Sequence, residues 1–280
     1  MLTSIVFLSL FPLTNSLQMV VVYGEPSDMS ESQEYQGLSL DDCIATCYWD
    51  NNCFLAYYSS VCHLFEYGNM SVKSSKSVVA FKTRNYECPS ANSSFPEFST
   101  TDRWIENDVG YENEISPVGE ISWKISFSIF QCSNNSKIFL RDTIFVCIGV
   151  RFFPNITCGN HNSAIEFCKT DGWSSITGPN NLEELAFLNG DIERENLVSK
   201  KYGNYLSLVW IDGNLGGFLD ETHGDYTSTK CYDLPSNACL YIGHNQCTKV
   251  AYFSDCNTDK MSPYYCWRGV ACRKEADRIN

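Results

Sequence analysis

The chain of 280 residues contains 33 acidic and 20 basic side chains, which gives a formal net charge of −13 at pH 7. Such a charge repels nucleic acids and anionic membrane surfaces, so neither is expected as a main partner. Hydrophobic residues make up 44% of the chain and aromatic residues 14%, enough to build packed cores and to exclude wholesale disorder.

Residues 1–16, MLTSIVFLSLFPLTNS, have the form of a secretory signal peptide. An apolar run from Ile5 to Leu13 precedes Thr14 and Ser16, small residues of the kind found before a cleavage site. The run is too short to span a bilayer, and no later stretch reaches about 18 apolar residues. We therefore expect a secreted, extracellular protein without a membrane span.

Sequons and cysteines fit the same compartment. Four N-x-S/T sequons predict glycosylation at Asn69, Asn92, Asn134 and Asn155. The 15 cysteines indicate a disulfide framework, since disulfides persist in oxidising compartments. Because the number is odd, at least one thiol is free or joined to another chain, and a disulfide-linked dimer is one expected partner.

The stretch LSLDDCIATCYWDNNC, residues 38–53, predicts a helix that begins at a Ser39 cap, with Asp42 completing a near capping box. One apolar face is formed by Leu40, Cys43, Ile44 and Cys47. The following stretch, CFLAYYSSVCHLFEYG, predicts a hairpin that carries Cys53 and Cys62. A zinc site is disfavoured because the spacing lacks paired C-x2-C knuckles.

A C-x3-C helix followed by cysteines on a hairpin resembles a PAN (apple-like) domain of the nematode variety. MVVVYGEP matches its opening strand and VVAFKTRNYEC its closing strand, so the resemblance covers residues 17–88. It implies a helix packed on a sheet and the bonds Cys43–Cys62 and Cys47–Cys53.

The composition changes after Cys88. Residues 89–120 are rich in Ser, Asn, Pro and acidic side chains, which predicts a partly extended linker that we place at residues 89–129. Trp104 and Tyr111 are candidates to dock on a neighbouring surface.

The second half predicts strands around Cys132 and Cys147, then two helices. The helix SAIEFCK has a Ser163–Glu166 capping box, and the helix NNLEELAFLNGDI is capped by Asn181 and Glu184. YLSLVWIDG follows as a buried strand, and a cysteine-rich stretch leads to a closing strand at RGVAC.

This order of segments resembles a C-type lectin-like domain over residues 130–280. FLRDTIFVCIGV matches the first hairpin, AIEFC the first helix, SSITGPNNLEE the turn into the second helix, and VWIDG the core strand. The resemblance implies the bonds Cys132–Cys147, Cys168–Cys272 and Cys239–Cys256. It leaves five cysteines unassigned: Cys88, Cys158, Cys231, Cys247 and Cys266. The expected fold class is α+β and disulfide-rich, with a PAN-like helix-on-sheet module before the lectin-like domain.

The usual calcium-dependent sugar site of C-type lectins is not expected. Its Glu-Pro-Asn or Gln-Pro-Asp and Trp-Asn-Asp tripeptides do not occur in this chain. The nearest substitute is SDCNTDK, with Asp255, Asn257 and Asp259 at alternate positions, and a solvated acidic loop is the favoured interpretation of it. No cofactor is expected, and calcium is a candidate that the usual motifs do not support.

No motif joins a nucleophile to a base, so no enzyme is expected. GWSSITG has Ile176 where a G-x-S-x-G elbow requires glycine. Trp173 and Trp267 are candidates to stack on a sugar, whereas Trp210 is expected in the core. The sequence favours a secreted recognition protein for a glycan or protein ligand, by resemblance on microbial surfaces in innate defence. The alternative is a structural or adhesive extracellular protein that binds host proteins.

Overall fold

The computed structural model describes residues 17–84, 99–119, 122–133, 135–202, 206–213, 218–223, 229, 239–243, 248–251, 256–262 and 265–279. The chain divides into two compact units. The first takes the chain up to Arg103 and then Glu112–Ser128, and the second takes Trp104–Tyr111 and Ile129–Asn280. Among the helices so described, none is both long and apolar enough to cross a membrane.

The first sheet has the strand order β2–β4–β3–β5–β8–β7–β6, and β1 also pairs with β5. Its elements are β1 Gln18–Pro26, β2 Gln33–Tyr35, α1 Leu40–Trp49, β3 Cys53–Tyr58, β4 Cys62–Glu66, β5 Met70–Thr83, β6 Thr100–Glu106, β7 Val109–Val118 and β8 Ser122–Gln131. All the pairs whose register is recorded among these strands are antiparallel.

Helix α1 begins where the sequence predicts. The Ser39 hydroxyl accepts a hydrogen bond from the backbone N–H of Asp42 at 3.2 Å, which satisfies one of the free donors of the first turn. Cys43 and Cys47 are fully buried on the face that meets the β3–β4 hairpin. The predicted helix on a hairpin is thus present.

The segment expected to be a linker, residues 89–129, contains strands β6, β7 and most of β8. Its acidic residues do not keep it out of the fold: Asp102 is buried and accepts hydrogen bonds from the backbone N–H of Arg84 at 2.8 Å and the Thr83 hydroxyl at 3.2 Å. Ile115 and Trp123 join the apolar core of the first unit. Residues 99–119 and 122–129 therefore consist mostly of strands and are not a linker. A polar side chain such as Asp102 can lie within a sheet because it is hydrogen-bonded.

The second sheet has the order β14–β13–β12–β16–β10–β9, with β11 and β15 also paired to β16. The elements are β9 Lys137–Arg141, β10 Ile144–Phe152, α2 His161–Thr170, β11 Ser175–Ile176, α3 Leu182–Tyr202, β12 Leu206–Ile211, β13 Cys239–Gly243, β14 Thr248–Ala251, β15 Lys260–Ser262 and β16 Tyr265–Glu275. The last strand, β17 Asp277–Arg278, pairs instead with β8 of the first sheet, also antiparallel. β12 and β16 are parallel, and the other recorded pairs are antiparallel.

Strand β12 separates two apolar layers. Leu208 and Trp210 belong to one core, which includes Ala164 and Cys168 of α2. Val209 and Ile211 belong to the other core, which includes Leu185, Leu188 and Ile192 of α3. Because successive strand residues point to opposite faces, α2 and α3 pack on opposite faces of the sheet.

Both helices of the second unit differ from their predicted bounds. Helix α2 begins at His161 with Asn160 as its cap, whose side chain accepts from the N–H of Ser163 at 2.9 Å, so the predicted Ser163 cap is wrong. Asn181 accepts from the N–H of Glu184 at 3.0 Å as predicted, but α3 continues to Tyr202 instead of ending at Ile192.

Candidate functional site: a groove between α3 and β10

A groove of about 520 Å³ lies between helix α3 and strand β10 of the second unit. We call it the α3–β10 groove. Strand β10 lines it with Val150, Arg151 and Phe152, helix α3 with Phe187, Asp191, Arg194, Glu195 and Val198, and the turn before β9 with Asn135 and Ser136. Its volume lies within the range of roughly 300–1,000 Å³ that is common for ligand clefts.

The groove forms because strand β10 is longer than its neighbour. Lys137, the first residue of β9, pairs with Ile148, while β10 runs on to Phe152. Beyond Ile148, the described strands include no recorded partner for β10 on that side. The turn before β9 approaches β10 closely at Gly149, where an added Cβ would lie 2.7 Å from the carbonyl oxygen of Asn135.

Helix α3 forms the opposite wall with residues that share one helical face. Phe187, Asp191 and Glu195 are spaced by four residues, and Val198 follows three residues later, so their side chains lie one above the other. The sequence interpretation ended the helix at Ile192 and missed this face. The four-residue spacing is the signal that could have revealed it.

The groove lining combines apolar side chains with charged side chains of both signs. Asp191 forms an ion pair with Arg194, and the Glu195 carboxylate lies 2.9 Å from Nε of Arg268. Arg151 lies 2.6 Å from the carboxylate of Asp171, outside the groove lining. Because each of these arginines is paired with an acid, the groove favours a polar ligand without a large net charge over a polyanion.

A buried cluster of charges fixes the start of α3. The Arg141 guanidinium donates to Glu184 at 2.7 Å, to Asp220 at 2.9 Å and to the carbonyl oxygen of Gly178 at 2.7 Å. Burial raises the pKa of Asp220, but hydrogen bonds from Thr177 and Thr222 and the charge of Arg273 lower it below its ordinary value. Asp220 is therefore held as a carboxylate, and the cluster positions α3 through Glu184.

A second carboxylate organises the chain after β12. The Asp212 carboxylate accepts from the backbone N–H groups of Gly213 at 2.8 Å, Leu219 at 2.7 Å and Asp220 at 2.6 Å. Nε2 of His223 lies 3.4 Å from the same carboxylate. These contacts place Asp220 beside Arg141, so the residues after β12 contribute to the support of the groove.

Trp173 and Trp267, the sequence-based candidates to stack on a sugar, are both buried. Trp267 is fully buried and stacks on Trp210, with ring centroids 4.5 Å apart and planes 7° apart. Trp173 is 8% exposed, and its indole Nε1 donates to Asp171 at 3.3 Å. The stacking hypothesis is corrected for both residues, because neither offers an open ring face to a ligand. Trp210 lies in the core as predicted.

The calcium candidate is only partly covered by the described residues. Asp255 lies outside them, and Asn257 and Asp259 are exposed. Across the described ranges, no group of three His, Cys, Asp or Glu side chains is placed to hold a metal ion.

Two of the four sequons can be examined. Asn69 and Asn155 are exposed, as attachment of a glycan requires. Asn92 and Asn134 lie outside the described residues, as does the expected signal peptide, residues 1–16.

The disulfide framework agrees with every pairing that the two resemblances imply. The structure joins Cys43–Cys62, Cys47–Cys53, Cys132–Cys147, Cys168–Cys272 and Cys239–Cys256. It adds Cys158–Cys266, which was left unassigned. The remaining cysteines, Cys88, Cys231 and Cys247, lie outside the described residues.

Comparison with known proteins gives a family match for part of the first unit. No curated protein and no solved structure matches the chain. Residues 19–83, which contain helix α1, the disulfide-bonded β3–β4 hairpin and strand β5, match the family of PAN-like domains.

Proposed function

We propose that this is a secreted, non-enzymatic recognition protein that binds a glycan or protein ligand outside the cell, on microbial surfaces in innate defence. The observation that carries the proposal is the PAN-like domain at residues 19–83, since PAN domains are general protein- or carbohydrate-binding modules. An extracellular location is supported by six disulfide bonds among the described residues.

In this proposal the second unit is a C-type lectin-like domain that binds through the α3–β10 groove. The predicted order of hairpin, helix, helix and buried strand supports this assignment, as do the three implied bonds Cys132–Cys147, Cys168–Cys272 and Cys239–Cys256. The usual calcium tripeptides are missing from the sequence, so ligand binding at the groove is proposed to be independent of calcium.

The test is binding of the full-length chain, purified from the medium of eukaryotic cells, to arrays of glycans, microbial surfaces and extracellular proteins. Binding is measured with calcium and then with a chelator. We expect binding that persists in chelator. Loss of binding in chelator would overturn calcium independence, and no binding to any of the three arrays would overturn the recognition function.

The groove is tested with substitutions on its exposed wall. Arg194→Glu and Val198→Asp change side chains that line the groove. The Arg194 side chain is 70% exposed and Val198 is 47% exposed, so we expect both variants to keep the fold. Leu197→Asp is the matched control, because Leu197 neighbours Val198 on α3, is 73% exposed and lies outside the groove lining. Binding that the two groove variants lose and the control keeps supports the assignment. Equal binding by all three proteins would refute it.

The odd number of cysteines supports a second candidate, a structural or adhesive protein that binds host proteins as a disulfide-linked dimer. Of the 15 cysteines, twelve form the six described bonds, and the other three cannot all pair within one chain. A dimer on non-reducing electrophoresis that binds matrix proteins and no glycan would favour this candidate over glycan recognition.

A further inference from the structure

The end of helix α1 carries an unusually exposed tryptophan. Trp49 is 79% exposed, although tryptophan side chains are highly buried on average. Its ring meets Tyr48 edge to face, with centroids 4.8 Å apart. Burying an indole on contact with a ligand removes a large apolar surface from water, so such a ring is a strong potential binding element.

The segment that carries this ring is held rigidly. We call residues 48–52 the Trp49 loop; they comprise the last two residues of α1 and the turn after it, and the Cys47–Cys53 disulfide closes them. The Asp50 carbonyl oxygen accepts from the N–H of Cys53 at 3.2 Å and from Nζ of Lys82. The Asp50 carboxylate accepts from the N–H of Asn52 at 2.9 Å, and the Asp50 N–H donates to Thr46 at 3.1 Å.

Lys82 adds to this rigidity from beneath the loop. It is only 3% exposed, and burial lowers the pKa of its ammonium group below the ordinary value, although the charge of Asp50 opposes this. A ligand that meets a preorganised loop incurs little ordering cost on binding.

Two amide side chains follow Trp49 in the loop. Asn51 and Asn52 are exposed, and no hydrogen bond of their side-chain amides is recorded among the described residues. Each amide offers two donors and one acceptor. Asp50 is exposed as well, and one oxygen of its carboxylate accepts from the N–H of Asn52. The exposed surface of the loop therefore combines an indole, two amides and one carboxylate, and the negative charge disfavours an anionic ligand.

We propose that the Trp49 loop is a second binding site, and that its ligand is a neutral pyranose saccharide. One face of a pyranose ring is apolar C–H surface that covers an indole, and its hydroxyl groups hydrogen-bond to amides. A macromolecular protein partner fits less well, because specific protein interfaces bury about 800 Å² on each side around an apolar centre, whereas Trp49 is followed by three exposed polar residues. The inference rests on the proposed recognition function and adds a site in the first unit.

The test uses the full-length chain and an immobilised array of neutral oligosaccharides of glucose, galactose, mannose and N-acetylglucosamine. Trp49→Ala is expected to lower the affinity for the retained sugars at least about tenfold, and Trp49→Phe to lower it less. Asn51→Ala and Asn52→Ala are expected to weaken binding in part. The matched control is Val21→Ala, which removes another exposed apolar side chain of the first unit.

The outcomes separate this site from the groove. Binding that Trp49→Ala loses while Val198→Asp keeps it supports the Trp49 loop. Sugar binding that only Val198→Asp abolishes would overturn the inference and leave the proposed function standing. A protein ligand bound through Trp49, without any sugar, would overturn the saccharide assignment. If wild-type protein binds neither sugars nor proteins, the proposed function fails as well.

Discussion

Arg141 and Glu184 form an ion pair at 2.7 Å in which both side chains are almost completely buried, with exposures of 1% and 0%. The two residues are 43 positions apart in sequence, on β9 and in the first turn of α3. Taking both charges out of water is costly, and the surrounding hydrogen bonds offset that cost.

Removing Arg141 is expected to destabilise the second unit strongly. Arg141→Met leaves Glu184 and Asp220 buried without their shared cation, which costs about 3–5 kcal/mol. Urea unfolding followed by tryptophan fluorescence measures the change. Lys137→Met is the control, because its pair with Glu183 is exposed and contributes about 1 kcal/mol or less. Equal losses in the two variants would contradict the role assigned to the buried pair.

His161 is expected to make the second unit less stable in mild acid. Burial lowers its pKa below 6.5, while a bond to the Ile211 carbonyl and the charge of Asp212 partly oppose the shift. As the pH falls through 6.5, the unfolded chain therefore gains a proton that the folded protein does not, and the free energy of unfolding decreases. Above that pH both states are neutral and the effect vanishes.

The measurement for His161 is the free energy of unfolding at pH 8 and pH 5 in wild type and His161→Gln. The decrease between these pH values should be smaller in the variant, which cannot take up the proton. A decrease of the same size in both proteins would show that other groups cause the acid sensitivity.

Two glycines of the second unit should respond in opposite directions to alanine. At Gly149 an added Cβ lies 2.7 Å from the Asn135 carbonyl oxygen and 3.0 Å from the ring of Trp173, so Gly149→Ala should cost about 1–3 kcal/mol. At Gly190, within α3, the nearest such atom is 3.7 Å away. Gly190→Ala should stabilise by about 0.5–1 kcal/mol. Thermal unfolding of both variants checks the signs, and a stabilised Gly149→Ala would refute the close approach of the turn to β10.

Asn69 and Asn155 are expected to carry glycans when the chain passes through the secretory pathway. The amide oxygen of Asn69 accepts from the N–H of Phe127 at 2.9 Å, which leaves its nitrogen for attachment. Mass spectrometry of the intact protein should show one glycan fewer in Asn69→Gln and in Asn155→Gln. Unchanged masses would contradict glycosylation at these positions.

The two disulfides of the PAN-like region should contribute to stability in different amounts. Cys43–Cys62 joins residues 19 positions apart and Cys47–Cys53 residues six apart. On the chain-entropy account, Cys43→Ala with Cys62→Ala should cost roughly 3 kcal/mol, and Cys47→Ala with Cys53→Ala roughly 2 kcal/mol. Denaturant midpoints of the two double variants give the comparison, and the reverse order would contradict it.

Local signals in the sequence were sufficient for the first helix and hairpin. The Ser39 cap, the apolar face and the β-rich runs all act over a few residues, so they were readable without tertiary information. In α2 the same rule gave the wrong cap, because Asn160 and Ser163 are both good caps and the choice depends on packing. The predicted helix NNLEELAFLNGDI included Gly190 but ended at Ile192, ten residues before the observed end of α3 at Tyr202.

Features that depend on contacts between residues far apart in sequence could not be predicted from such local signals. The polar composition of residues 99–119 hid strands whose acid Asp102 has partners about 18 positions earlier. Trp267 was a candidate to stack on a sugar because the sequence does not reveal that its ring stacks on Trp210. The Arg141 cluster joins four separate segments, and the groove depends on the unequal lengths of β9 and β10, which periodicity does not encode.

The central position of β16 determines when the second unit can be completed during synthesis. The PAN-like region draws its helix, hairpin and closing strand from residues 19–83, so it can form while later residues are still on the ribosome. β16 lies between β12 and β10 in the middle of the second sheet, and Cys266 and Cys272 on it bond to partners more than 100 residues earlier. The second unit must therefore wait for residues 265–275, and until then its unpaired strand edges are prone to aggregate.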